Sequence, residues 1–128
     1  MGHNAVAWFE IYVQDIERAK TFYETVFNVK LERLQSDLEM WAFPMAMGQW
    51  GAGGSLVKMD GMHSGGNSTI VYFSCADCAV EAARVVPAGG KIFKEKMSIG
   101  QYGFIALGTD PDGNMFGMHS VPDNYPQK

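Results

Sequence analysis

The sequence predicts an α+β fold of two βαβββ repeats, each a half-barrel of strands with one covering helix, around a central cleft. Three observations predict it. The hydrophobic period switches from two to about 3.6 and back at matching places in each half of the chain. The residues that bound the two helical stretches recur at one fixed spacing. Fifteen glycines among 128 residues punctuate short segments without a collagen-like period. With 47 % hydrophobic and 19 % charged residues, the chain reads as one packed domain over residues 1–128.

The first repeat covers about residues 5–59. Ala5 to Val13 alternates like a strand and stops at Gln14-Asp15. Asp15 is a good N-cap and Glu17 suits a first helical turn. Ile16, Ala19, Phe22, Tyr23, Val26 and Phe27 then fall on one stripe, and Asn28 can take the left-handed conformation that closes a helix. Strand-like segments follow near 30–34, 39–45 and 53–59. Residues 60–68 are polar and Gly-rich, a linker by composition.

The second repeat, about residues 69–121, restarts the pattern. Thr69 to Cys75 alternates, Asp77 caps a helix, and Ala79, Ala82, Ala83 and Val86 form its expected stripe, with Pro87 and Gly89-Gly90 ending it. Strand-like segments recur at 91–97, 102–107 and 114–121. Asp110-Pro111-Asp112-Gly113-Asn114 has the chemistry of a hairpin turn between the last two. Asp15 and Asp77 are 62 residues apart, and so are Asn28 and Gly90. The same offset sets Ser55-Leu56-Val57 against Gly117-Met118-His119. One unit is written twice.

Charge and composition exclude several classes of function. Ten basic residues face 14 acidic ones, net −4, with no basic stripe for nucleic acid. No apolar run approaches the length of a membrane span, and the opening residues lack the build of a signal peptide. Two cysteines and nine methionines suggest a reducing compartment, so a cytoplasmic location is expected. Cys75-Ala76-Asp77-Cys78 could exchange disulfides or bind zinc, but a strand end and a helix start suit two small apolar residues better. The paired glycines neither follow a strand nor open a helix at phosphate-binding spacing. Asp110 and Asp112 lack the bidentate Glu of a calcium loop and read as turn formers.

The duplicated plan resembles the vicinal oxygen chelate superfamily, which includes glyoxalase I, bleomycin- and fosfomycin-resistance proteins and extradiol dioxygenases. The likeness runs from about Val6 to Ser120. It is carried by Trp8-Phe9-Glu10-Ile11, Asp15-Ile16-Glu17-Arg18-Ala19 with Phe22-Tyr23, Ala88-Gly89-Gly90-Lys91, Tyr102-Gly103-Phe104-Ile105-Ala106 and Asp110-Pro111-Asp112-Gly113-Asn114. The resemblance implies a divalent metal held by His or Glu side chains from the first and last strands of each repeat, and pairing of half-barrels across a homodimer. The positions it marks are Trp8, Ser55, Ile70 and Gly117. An indole, an aliphatic chain and a glycine offer a metal no lone pair, and a serine is a poor ligand, so no metal and no cofactor is expected.

One step along the same strands, Glu10, Val57, Tyr72 and His119 should form the neighbouring inward ring. Glu10 facing His119 could set the imidazole's tautomer and basicity for proton transfer. Contact with a ligand, or a purely structural hydrogen bond, are the competing readings. The aromatics Trp8, Trp41, Phe43, Trp50, Tyr72, Tyr102 and Phe104, with Met40, Met45 and Met47, are candidates to line a small-molecule cleft or fill the core. Residues 45–51 form a loop that could cover the cleft. Two functions stay open: a metal-independent protein that binds a small organic molecule, and a glyoxalase-like lyase or isomerase using Glu10 and His119.

Overall fold

A computed structural model describes residues 4–46, 48–49 and 51–122. The chain runs β1 (Trp8–Tyr12), α1 (Ile16–Phe27), β2 (Glu32–Arg33), β3 (Glu39–Ala42), β4 (Gly53–Lys58), β5 (Val71–Ser74), α2 (Cys78–Val85), β6 (Lys91–Ser98), β7 (Phe104–Thr109) and β8 (Met115–Ser120), with a 3-10 turn at Gly100–Tyr102. Two four-stranded sheets form, ordered β1-β4-β3-β2 and β5-β8-β7-β6. In each, the first strand pairs in parallel with the last.

The repeat survives in the register. Glu10 lies opposite Ser55 in the first sheet, and Tyr72 opposite Gly117 in the second, both shifted by 62. The third strands depart from it. Trp41 pairs with Leu56, whereas Ala106 pairs with Met118, so the second repeat carries three more residues before that strand. Tyr102, expected to start a strand, lies in the 3-10 turn instead.

Both helices start as their caps dictate. Asp15 accepts from the Arg18 backbone N–H, and Asp77 from that of Ala79. Asn28 closes α1 at φ 54°, its N–H bonded to the Glu24 carbonyl. The stripe of α1 is buried at Ile16, Ala19, Phe22, Tyr23 and Val26. In α2 the expected stripe is corrected: Cys78, Ala82 and Val85 face the core, while Ala79, Ala83 and Val86 are exposed. Alanines on every side of that helix blur its apolar face, and Cys78, fully buried, anchors it.

One core serves both repeats. Phe22, Tyr23, Phe27, Phe9, Phe43, Phe73 and Phe116 pack ring against ring between α1 and the two sheets. The turn at 110–114 does more than reverse the chain. Asp110, buried, accepts from the Tyr23 hydroxyl at 2.8 Å and from the backbone of Asp112 and Asn114. Asp112 binds Arg18 at 2.6 Å, and Asn114 Nδ2 donates to the Tyr12 carbonyl. A turn of the second repeat is thereby fastened to the strand and helix of the first. Among the described residues, no helix is long and apolar enough to cross a membrane.

Candidate functional site

Strand alternation divides each sheet into two faces. Phe9, Ile11, Trp41, Phe43 and Leu56 turn toward the helices, as do Phe73, Phe104, Ala106, Phe116 and Met118. The opposite faces carry Trp8, Glu10, Tyr12, Ser55 and Val57 in the first sheet, and Tyr72, Gly117 and His119 in the second. Among the described residues both helices pack on the other faces, although Ser55, Val57 and Gly117 are buried here too. Trp8 is 37 % exposed and Tyr72 45 %.

The aromatic candidates therefore do not share one surface. Trp8 and Tyr72 are on the helix-free faces. Tyr102 projects from the 3-10 turn into solvent. Phe43 is buried in the core, and Trp41 and Phe104 pack against it. Lys20 Nζ stands 4.4 Å from the Trp41 ring and Lys96 Nζ 4.6 Å from that of Phe104. Trp50 and Met47 lie outside the described residues.

Glu10 and His119 belong to strands of different sheets, and each is held locally. The Tyr12 hydroxyl donates to Glu10 Oε1 at 2.7 Å, a same-face contact two residues along β1. This bond, with the nearby negative charge and partial burial, raises the pKa of the Tyr12 phenol. Tyr12 is the functional neighbour that sequence reasoning passed over, although spacing of two on a strand is its signal. His119 Nε2 lies 2.8 Å from the Tyr102 carbonyl oxygen. A carbonyl only accepts, so Nε2 is the donor of this contact. The expectation that Glu10 sets the tautomer is corrected: the turn does.

At the positions where the resemblance implies a metal, the chemistry is of another kind. Ser55 is fully buried and its hydroxyl has no hydrogen-bond partner among the described residues. A Cβ on Gly117 would run into the Tyr72 ring, so the tyrosine fills the space that a ligand side chain there would take. Trp8 reaches over Gly53 beside Met45. Indole, hydroxyl, aliphatic chain and glycine do not make a donor set for a divalent ion. Among the described residues, no three His, Cys, Asp or Glu side chains gather as a metal group.

Several clefts touch these elements. One of about 210 Å³ lies where β1 meets the segment leading into β5, with Glu10, Tyr12, His63, Asn67, Thr69 and Asn114 on its walls. A second, about 500 Å³, lies between Trp8 and the loop following Pro44. A third, about 220 Å³, joins Phe27, Phe43 and Phe73 with Glu81 at the seam between repeats. Beside it Cys75 is a free thiol whose pKa burial, with the adjacent Glu81 carboxylate, pushes up to about 12. Such a thiol stays protonated and is a poor nucleophile.

Two sheets, each with a helix on one face, and an internally repeated register define a paired half-barrel protein of the glyoxalase type. The chain belongs to the Glyoxalase/Bleomycin resistance protein/Dioxygenase superfamily, whose model matches residues 5–118. Among solved structures it is similar to a hypothetical protein from S. aureus, at 21 % identity and TM-score 0.71, over 94 % of this chain and 96 % of that one. It is similar to TnmS3, an antibiotic binding protein from Streptomyces sp. CB03234, at 24 % identity and TM-score 0.68, over 95 % and 99 %. It also resembles FosX, a genomically encoded fosfomycin resistance protein from Listeria monocytogenes, at 16 % identity and TM-score 0.65, over 98 % and 97 %. At these identities the likeness concerns the fold. No curated protein sequence is significantly similar to the chain.

Proposed function

We propose that this protein binds a small organic molecule on its helix-free sheet faces, without the divalent metal that its resemblance implies there. The observation that carries the reading is the Tyr72 ring lying over Gly117, which puts an aromatic surface where a metal-ligating side chain would project. Exposed Trp8 and Tyr72 supply flat apolar contacts, and Glu10 with Tyr12 supplies polar ones. Tyr102 borders the site, while Trp41, Phe43 and Phe104 shape the sheets from behind. An antibiotic binding protein and a fosfomycin resistance protein among its structural neighbours support a small-molecule ligand. A second copy of the chain covers the exposed Phe93 and Met97 in a homodimer, and the compartment is the cytoplasm, where free Cys75 and Cys78 persist.

Binding of aromatic probes followed by protein-detected NMR tests this. Shifts should fall on β1, β5 and β8, and Tyr72→Ala should weaken binding by roughly tenfold, as loss of one stacked aromatic contact implies. Shifts elsewhere, with Tyr72→Ala silent, would refute it.

A second reading, a glyoxalase-like lyase or isomerase, is favoured by one observation: the Tyr102 carbonyl takes the His119 Nε2 proton and so orients the imidazole. In that reading Glu10 or His119 Nδ1 takes a proton from the substrate. His119→Ala should then lower turnover of a hemithioacetal by about 10²–10⁴-fold with binding kept. Absence of turnover in the unaltered protein, metal supplied, removes this reading.

A further inference from the structure

On the small-molecule reading above, on which this rests, we infer that the ligand carries a small organic cation, a protonated amine or guanidine, and that Glu10 receives it in the cleft between β1 and the segment entering β5. The argument is a census of hydrogen-bonding capacity. The cleft is walled by Glu10, Tyr12, His63, Asn67, Thr69 and Asn114, and none of its described lining residues is Lys or Arg.

Its tyrosine and asparagine donors are already committed. The Tyr12 hydroxyl gives its proton to Glu10 Oε1. Asn67 Nδ2 donates to the carbonyls of Thr69 and Met115, and Asn114 Nδ2 to the Tyr12 carbonyl and Asp110. On Glu10 and Tyr12 what remains accepts: the second carboxylate oxygen and a lone pair on the phenol. The Thr69 hydroxyl and the His63 ring can each donate or accept. Acceptors grouped round one carboxylate match a group rich in N–H donors and positively charged, while an anion would meet repulsion and few side-chain donors. At about 210 Å³ the cleft suits a head group, below the usual range for a whole drug-sized ligand.

Benzylamine, benzyl alcohol and benzoate share one ring and differ in charge, and titrating each into the isotope-labelled protein by NMR provides the test. Benzylamine should shift amides of residues 10–12 and 69–71 and bind roughly tenfold tighter than benzyl alcohol, a charge-assisted hydrogen bond being about twice a neutral one. Benzoate should bind weakest. Glu10→Gln, checked for an unchanged melting profile, should lower benzylamine to the level of benzyl alcohol and leave benzyl alcohol unaffected. If benzyl alcohol or benzoate binds as tightly as benzylamine, or Glu10→Gln keeps the preference, the cation assignment falls and the broader binding reading stands. If none of the three shifts these amides at millimolar concentration, both fall.

Discussion

Tyr23 and Asp110 show how one buried polar contact can hold two repeats together. Burial raises the Asp110 pKa, and hydrogen bonds from Tyr23 and Asn114 pull it back only in part. The same contact, with burial as the larger cause, drives the Tyr23 phenol well up. Tyr23→Phe should destabilise the fold by roughly 1.5–3 kcal/mol, the worth of a hydrogen bond to a charged group, as read from urea unfolding. A change near zero would show that the phenol and carboxylate do not meet in solution. The titration of Asp110 has a defined sign. Between its unfolded and its raised folded pKa, the folded state holds a proton that the unfolded chain has released. Its contribution to stability is therefore fully present below the ordinary carboxylate value and is lost as pH rises through the raised one. Asp110→Asn should remove that decline from a stability-against-pH curve; an unchanged slope would contradict it. Asp77, held below the usual range chiefly by its hydrogen bond from Lys96, acts in the opposite sense, its contribution being lost as pH falls.

At the level of strands and helices, most boundaries were legible because caps and alternation are local. Asp15, Asn28 and Asp77 behave as their types require. Two features were not legible. The buried stripe of α2 hides because alanines occupy several of its sides, and the position of Tyr102 depends on a three-residue insertion seen only when strands pair. Two glycines also separate by what surrounds them. An added Cβ at Gly90 meets the Thr109 carbonyl and the Phe22 ring, both fixed in the core. Gly90→Ala should therefore cost about 1–3 kcal/mol, the usual penalty of overpacking, in a denaturation experiment. At Gly117, itself buried, the obstacle is the half-exposed Tyr72 ring down to its Cγ, so the whole ring must turn rather than a fixed backbone give way. Gly117→Ala should therefore cost less stability than Gly90→Ala yet weaken binding of an aromatic probe, and equal loss of stability at both sites would contradict this contrast.

For the whole molecule, the duplicated architecture was readable from a constant offset, and the register of first and last strands repeats it. The candidate site was legible only in part. Addition of 62 locates Trp8, Glu10, Tyr72 and His119 on the helix-free faces, but cannot say that β1 and β8 lie in separate sheets or that Tyr12 and Tyr102 hold the polar groups. Those are matters of tertiary geometry, as is the fastening of the second repeat to the first through Arg18–Asp112 and Tyr23–Asp110. With one shared core, the repeats should unfold in a single transition, with fluorescence and far-UV dichroism superimposing. Two separated transitions would show that the seam is weak. The proposal that an aromatic binding surface stands in place of metal chemistry is tested most directly by native mass spectrometry of the intact chain prepared with zinc, nickel and manganese supplied. Far less than one ion per chain is the expected result, whereas one tightly held ion per chain, released on Ser55→Ala, would contradict the account.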